Sequence, residues 1–130
     1  MTADMGKHVV LWIDHAEARV FHFEPGGVDR AIVEAPKHLH RKHPKTPQSA
    51  REHPDDAKRF FHDVVGSMGD ASALLILGPG SAKLELLRYV HKNEPTLEPK
   101  IIGIETVDHP TDKQIVAYAT TYFADAERTN

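Results

Sequence analysis

The chain has no cysteine among its 130 residues, so neither a disulfide framework nor thiolate chemistry is open to it. It also lacks any apolar run near the roughly 20 residues that span a bilayer, and no membrane partner is expected. The first residues are polar and include Asp4, without the basic-then-apolar plan of a secretory leader. Together these features point to the cytoplasm. Aromatic residues are scarce, at 7%, and only one is tryptophan. A net charge of −3 is not the overall balance of a nucleic-acid binder.

What is present fits one globular domain over residues 1–130, with 40% hydrophobic and 27% charged residues. The charge is unevenly placed. From Pro36 to Arg51 there is no Asp or Glu, while Lys37, Arg41, Lys42, Lys45 and Arg51 contribute +5, which leaves −8 for the remainder. Such segregation makes a local field that the overall charge hides. His38, His40 and His43 lie in the same stretch and add positive charge once protonated. Pro36, Pro44, Pro47 and Pro54 keep it out of helix and central strand, so a long basic loop is expected at about 36–53.

The remaining pattern alternates between strand and helix. His8 to Asp14 is nearly continuous in apolar residues, as a strand buried on both faces would be. Ala18 to Phe23 alternates and predicts a half-buried strand, and Glu24-Pro25-Gly26-Gly27 turns into a third over Val28 to Ala35. Pro54 with Asp55 and Asp56 suits a helix start, and Phe60, Phe61, Val64, Val65 and Met68 give its apolar stripe up to Gly69-Asp70. Ser72 to Leu77 reads as a buried strand. Gly78-Pro79-Gly80 then leads into a helix from Ser81 to Asn93, with Leu84, Leu87 and Val90 expected inward. Lys100 to Glu105 is the last strand. Thr111 and Gln114 have capping-box spacing for a final helix that buries Ile115, Val116, Ala119, Tyr122 and Phe123. A meander followed by right-handed crossovers predicts an α/β fold with a mixed five-stranded sheet, order 3-2-1-4-5, and three helices, the ribonuclease-H-like arrangement.

Three segments together resemble the central domain of the archaeal and eukaryotic class I peptide-chain release factors and of Pelota: VVLWIDHAEARVFHFEPGGVDRAIVEA, ILGPGSAKLELL and KIIGIETVDHPTDKQI. Small bacterial proteins described as translational-machinery or host-attachment proteins share this plan. The resemblance spans about Val9 to Phe123 and implies a translation-associated protein with the ribosome or RNA as partner. In the release factors the long loop carries Gly-Gly-Gln followed by Ser-Ala-Arg, and its Gln helps water attack peptidyl-tRNA. Here Thr46-Pro47-Gln48-Ser49-Ala50-Arg51 stands at that place, so Gln48 matches while both glycines are absent. Thr and Pro cannot reach the backbone angles open to Gly. The resemblance therefore leans away from peptide release, towards the Pelota-like case of ribosome contact without hydrolysis.

The candidate sites each have a plain alternative. Lys37, Arg41, Lys42, Lys45 and Arg51 suit phosphate contact driven by counterion release, against a solvated loop with no partner. No aromatic residue lies between Pro36 and Arg51, which favours backbone over base recognition. His38, His40 and His43 could converge on a metal, but they lack a carboxylate or thiolate and sit among repelling cations, so no metal is expected. Gly78, Gly80, Ser81 and Lys83 form a turn able to hold an anion, or simply a tight turn capped by Ser81. It is neither a P-loop nor GxGxxG, and no cofactor is expected. Asp14, His15 and Glu17 would become a metal-dependent nuclease site only if Asp70, Glu105 or Asp108 converged on them. His109, oriented by Asp108 or Glu105, is a candidate general base that lacks a nucleophile. Trp12 reads as core. An exposed sheet edge would allow a homodimer.

Overall fold

The computed structural model describes residues 7–36 and 54–128. Strands β1 (His8–Ile13), β2 (Glu17–Glu24) and β3 (Gly27–Glu34) come first, then helix α1 (Pro54–Met68), β4 (Ala73–Gly78) and α2 (Ala82–Asn93). A short 3-10 turn (Glu98–Lys100) leads into β5 (Ile101–Thr106) and the final helix α3 (Asp112–Arg128). They form one five-stranded sheet in the order β3-β2-β1-β4-β5. The β1–β2 and β2–β3 pairs are antiparallel, and the β1–β4 and β4–β5 pairs are parallel. This is the mixed α/β sheet that the strand pattern predicts.

The apolar run of β1 follows from its central place, because successive side chains enter different cores. Val9, Leu11 and Ile13 pack with Phe60, Phe61, Val64 and Met68 of α1 and with Leu86 and Val90 of α2. Val10 and Trp12 point the other way, towards Phe21, Leu75, Leu77 and the α3 residues Ile115, Ala119 and Phe123. Each fully buried side chain of this kind contributes about 1.5–3 kcal/mol. Gly69, with φ +60°, ends α1 in the left-handed conformation that only glycine adopts cheaply. At Gly78 a Cβ would run into the carbonyl oxygen of Ile13, so glycine there lets β4 stay beside the end of β1.

Two expectations change. The inward row of α2 is Ala82, Leu86 and Val90, whereas Leu84 is 45% exposed and Leu87 only half-buried. The helix begins at Ala82, and the i, i+4, i+8 row from that start passes through Leu86 rather than its leucine neighbours. Strand β2 is also more than half-buried in its middle. Ala18 and Val20 enter the α1–α2 core, while Phe21 enters the α3 core, since both layers reach past β1 onto its neighbour. The outer strand β3 is left more open, with Val28 and Ile32 exposed.

The expected capping box is present. The Thr111 N–H donates to Gln114 Oε1 at 2.9 Å, and the Gln114 N–H donates to Thr111 Oγ1 at 3.1 Å. These bonds satisfy donors that the first turn of α3 would otherwise leave open. No described helix is long and apolar enough to cross a membrane.

Candidate functional site

The carboxyl ends of the parallel strands β1, β4 and β5 lie together, and three chain segments meet there. The turn after β1 supplies Asp14 and His15, the turn after β4 supplies Gly78 to Ser81, and the connection after β5 supplies Val107 to Pro110. A backbone bond from Val107 N–H to the Gly78 carbonyl, 3.1 Å, joins the last two. Asp14 Oδ1 accepts the backbone N–H groups of Ala16 at 2.8 Å and Glu17 at 2.9 Å. Asp14 thereby closes its own turn, as Asp side chains do where backbone donors lack partners.

The other oxygen of Asp14 is turned towards His109. His109 Nε2 lies 3.3 Å from Asp14 Oδ2, and Nδ1 lies 2.9 Å from Asp108 Oδ1. Carboxylates at both ring nitrogens favour the imidazolium form over the neutral ring. The hydrogen bond to Asp108 and then that to Asp14 raise the pKa of His109 above its ordinary 6.5, against a smaller opposing effect of desolvation. The imidazole sits 5.1 Å from the Trp12 ring at a tilt of 59°. Trp12 is fully buried, and its indole N–H donates to the Asp108 carbonyl at 2.8 Å. The Arg19 guanidinium lies over the same indole, 4.6 Å from its centre. Arg19 is held there by Glu17 at 3.0 Å, Asp112 at 3.1 Å and the Pro110 carbonyl at 3.1 Å. Arg30 of β3 reaches the second oxygen of Asp112.

The structure thus brings Asp14, Asp108 and His109 together, and leaves Asp70 and Glu105 elsewhere. Asp70 stands in the turn before β4, beside His8 and Lys7 at the opposite end of β1. Glu105 faces α3, where it accepts from the Tyr122 hydroxyl at 3.4 Å; Asp108 alone of the two proposed partners orients His109. Burial, and then the charge of Glu105, raise the pKa of Tyr122. The convergence on Asp14 that a metal-dependent nuclease needs therefore does not form with Asp70 or Glu105. Among the described residues, no group of three or more His, Asp or Glu is arranged to hold a metal ion.

The turn at Gly78, Gly80, Ser81 and Lys83 uses its own polar groups. Lys83 is 6% exposed and donates from Nζ to the Gly80 carbonyl at 2.7 Å. Ser81 has a helical backbone conformation and makes no side-chain cap. Its hydroxyl instead donates to Glu85 at 3.3 Å, and Glu85 also meets His15 at 3.2 Å. A carboxylate of the chain itself is thus placed at the first turn of α2, where negative charge is favoured. The basic residues Lys37, Arg41, Lys42, Lys45 and Arg51, the histidines His38, His40 and His43, and Gln48 lie outside the described residues.

Sequence reasoning missed the packing of Trp12, Arg19 and Asp112 around the His109 cluster. A signal for part of it was available, because an antiparallel register of β1 with β2 sets Trp12 opposite Arg19.

No protein-family model matches this sequence, and no curated protein matches it. Solved structures do match. Pelota from Archaeoglobus fulgidus is 18% identical at a TM-score of 0.60, over 88% of this chain and 30% of that one. Pelota from Thermoplasma acidophilum is 22% identical at 0.58, over 88% and 31%. The archaeal translation termination factor aRF1 is 12% identical at 0.53, over 83% and 32%. The chain spans about a third of the length of each, and with that third it shares its fold.

Proposed function

We propose that the chain is a translation-associated binding protein that contacts ribosomal RNA or tRNA phosphates through the basic segment between β3 and α1. The observation that carries this reading is the shared fold with Pelota and with a translation termination factor. The charge distribution supports it. Lys37, Arg41, Lys42, Lys45 and Arg51 sit in an acid-free stretch of a chain that is otherwise strongly acidic. Lys and Arg clustered in this way bind phosphates by releasing counterions. The loss of both glycines before Gln48 supports contact without peptide release.

A hydrolytic reading would rest on His109. Each of its ring nitrogens faces a carboxylate, and a ring that these partners favour in the protonated form must lose a proton before it can act as a base. Nothing in the cluster supplies a nucleophile.

The test is binding of the purified chain to ribosomes and to generic RNA over a range of salt. Five phosphate contacts give a slope of log K against log salt of about −4. Changing Lys37, Arg41, Lys42 and Lys45 to Ser should flatten that slope to about −1. Binding that ignores salt, or survives the fourfold variant, would defeat the proposal.

A further inference from the structure

We propose that His109 is a proton-operated latch tying the turn after β1 to the connection after β5. The inference rests on the geometry of three side chains and stands apart from the RNA-contact reading. A neutral imidazole has one N–H and one lone pair. With a carboxylate at each nitrogen, 2.9 Å and 3.3 Å away, only the doubly protonated ring can donate to both. Loss of one proton puts a lone pair against a carboxylate oxygen, and that side must separate.

The two arms are unequal. Asp108 precedes His109 in the chain and makes the shorter bond. Asp14 is 95 residues away, makes the longer bond, and keeps two backbone donors on its other oxygen. Deprotonation therefore frees the Asp14 arm, which is the only arm that joins distant segments. Other charged groups around the latch are matched. From β2, Arg19 on the Trp12 ring is balanced by Glu17 and Asp112, and Asp112 of α3 also holds Arg30 of β3. From the turn after β1, His15 is paired with Glu85 of α2. His109 is 58% exposed on its side chain, so it exchanges protons freely with solvent.

Trp12 supplies the readout. It is the only tryptophan in the chain and lies against His109, where a protonated imidazole quenches indole emission. The full-length protein would be titrated from pH 5 to 9 by tryptophan emission. Hydrogen exchange at the Asp14 and Val107 amides would be followed alongside, corrected for intrinsic rate. Those amides bond to Glu17 O and Gly78 O and report opening of the two segments. Emission should rise with pH, with a midpoint above 6.5, and the transition should vanish in His109→Gln. Asp14→Asn keeps an oxygen for the turn but loses the charge, and should lower the midpoint. Protection of the Asp14 amide should exceed that of His109→Gln below the midpoint and equal it above. A midpoint at or below 6.5, no shift in Asp14→Asn, or equal protection in wild type and His109→Gln at every pH would each overturn the latch.

Discussion

The indole N–H of Trp12 donates to the backbone carbonyl of Asp108, 96 residues further on, at 2.8 Å. One buried side chain thus fixes the connection that carries His109. Trp12→Phe keeps an aromatic ring in the core but leaves that carbonyl without its donor and a gap where the larger ring stood. Chemical denaturation should show a loss of about 2 kcal/mol. The connection should also loosen, seen as faster exchange at the Val107 amide.

Gly78→Ala tests the seam between β1 and β4. The added methyl meets the Ile13 carbonyl oxygen, a backbone atom that cannot step aside without moving a central strand. Overpacking of this kind costs about 1–3 kcal/mol. Thermal melting should register it, while Gly80→Ala, with nothing near the new methyl, should pack without such a clash.

Thr111→Ala removes one bond of the capping box and leaves the Gln114 amide without its side-chain acceptor. The loss should be about 1 kcal/mol, with a smaller one for Thr111→Ser, which keeps the hydroxyl. Denaturant midpoints of the two variants would decide it.

Stability should also vary with pH through His109. Its pKa is raised in the folded chain by hydrogen bonds to Asp108 and Asp14. A raised histidine pKa contributes stability that is complete below about 6.5 and is lost as pH rises through the higher folded value. The stability difference between wild type and His109→Gln should therefore shrink across that window. Parallel denaturation series at pH 5.5 and 8.5 would measure it, and a constant difference would contradict the assignment.

Much of the fold was legible because its signals are local. An apolar run over β1, glycine-rich turns and a capping box are each read within a few residues. The buried face of α2 was not, since Leu84, Leu86 and Leu87 crowd into one turn and the period cannot choose among them. The His109 cluster was legible only in part. Asp108 is a sequence neighbour, but Asp14 arrives through the parallel pairing of β1, β4 and β5, which no local pattern encodes. The inward turn of Lys83 runs against the usual exposure of lysine, and only the nearby Gly80 carbonyl explains it.

The alternation of β1 between two cores has a consequence for how this sequence tolerates change. Val9, Leu11 and Ile13 belong to one layer, and Val10 and Trp12 to the other. Inserting or deleting one residue ahead of β1 without moving its neighbours would send every side chain to the wrong layer, with the indole facing α1 and α2. No half-measure is available to a strand with no solvent face. Substitutions of similar volume can accumulate along β1, but its reading frame against β2 and β4 is fixed for as long as the fold exists.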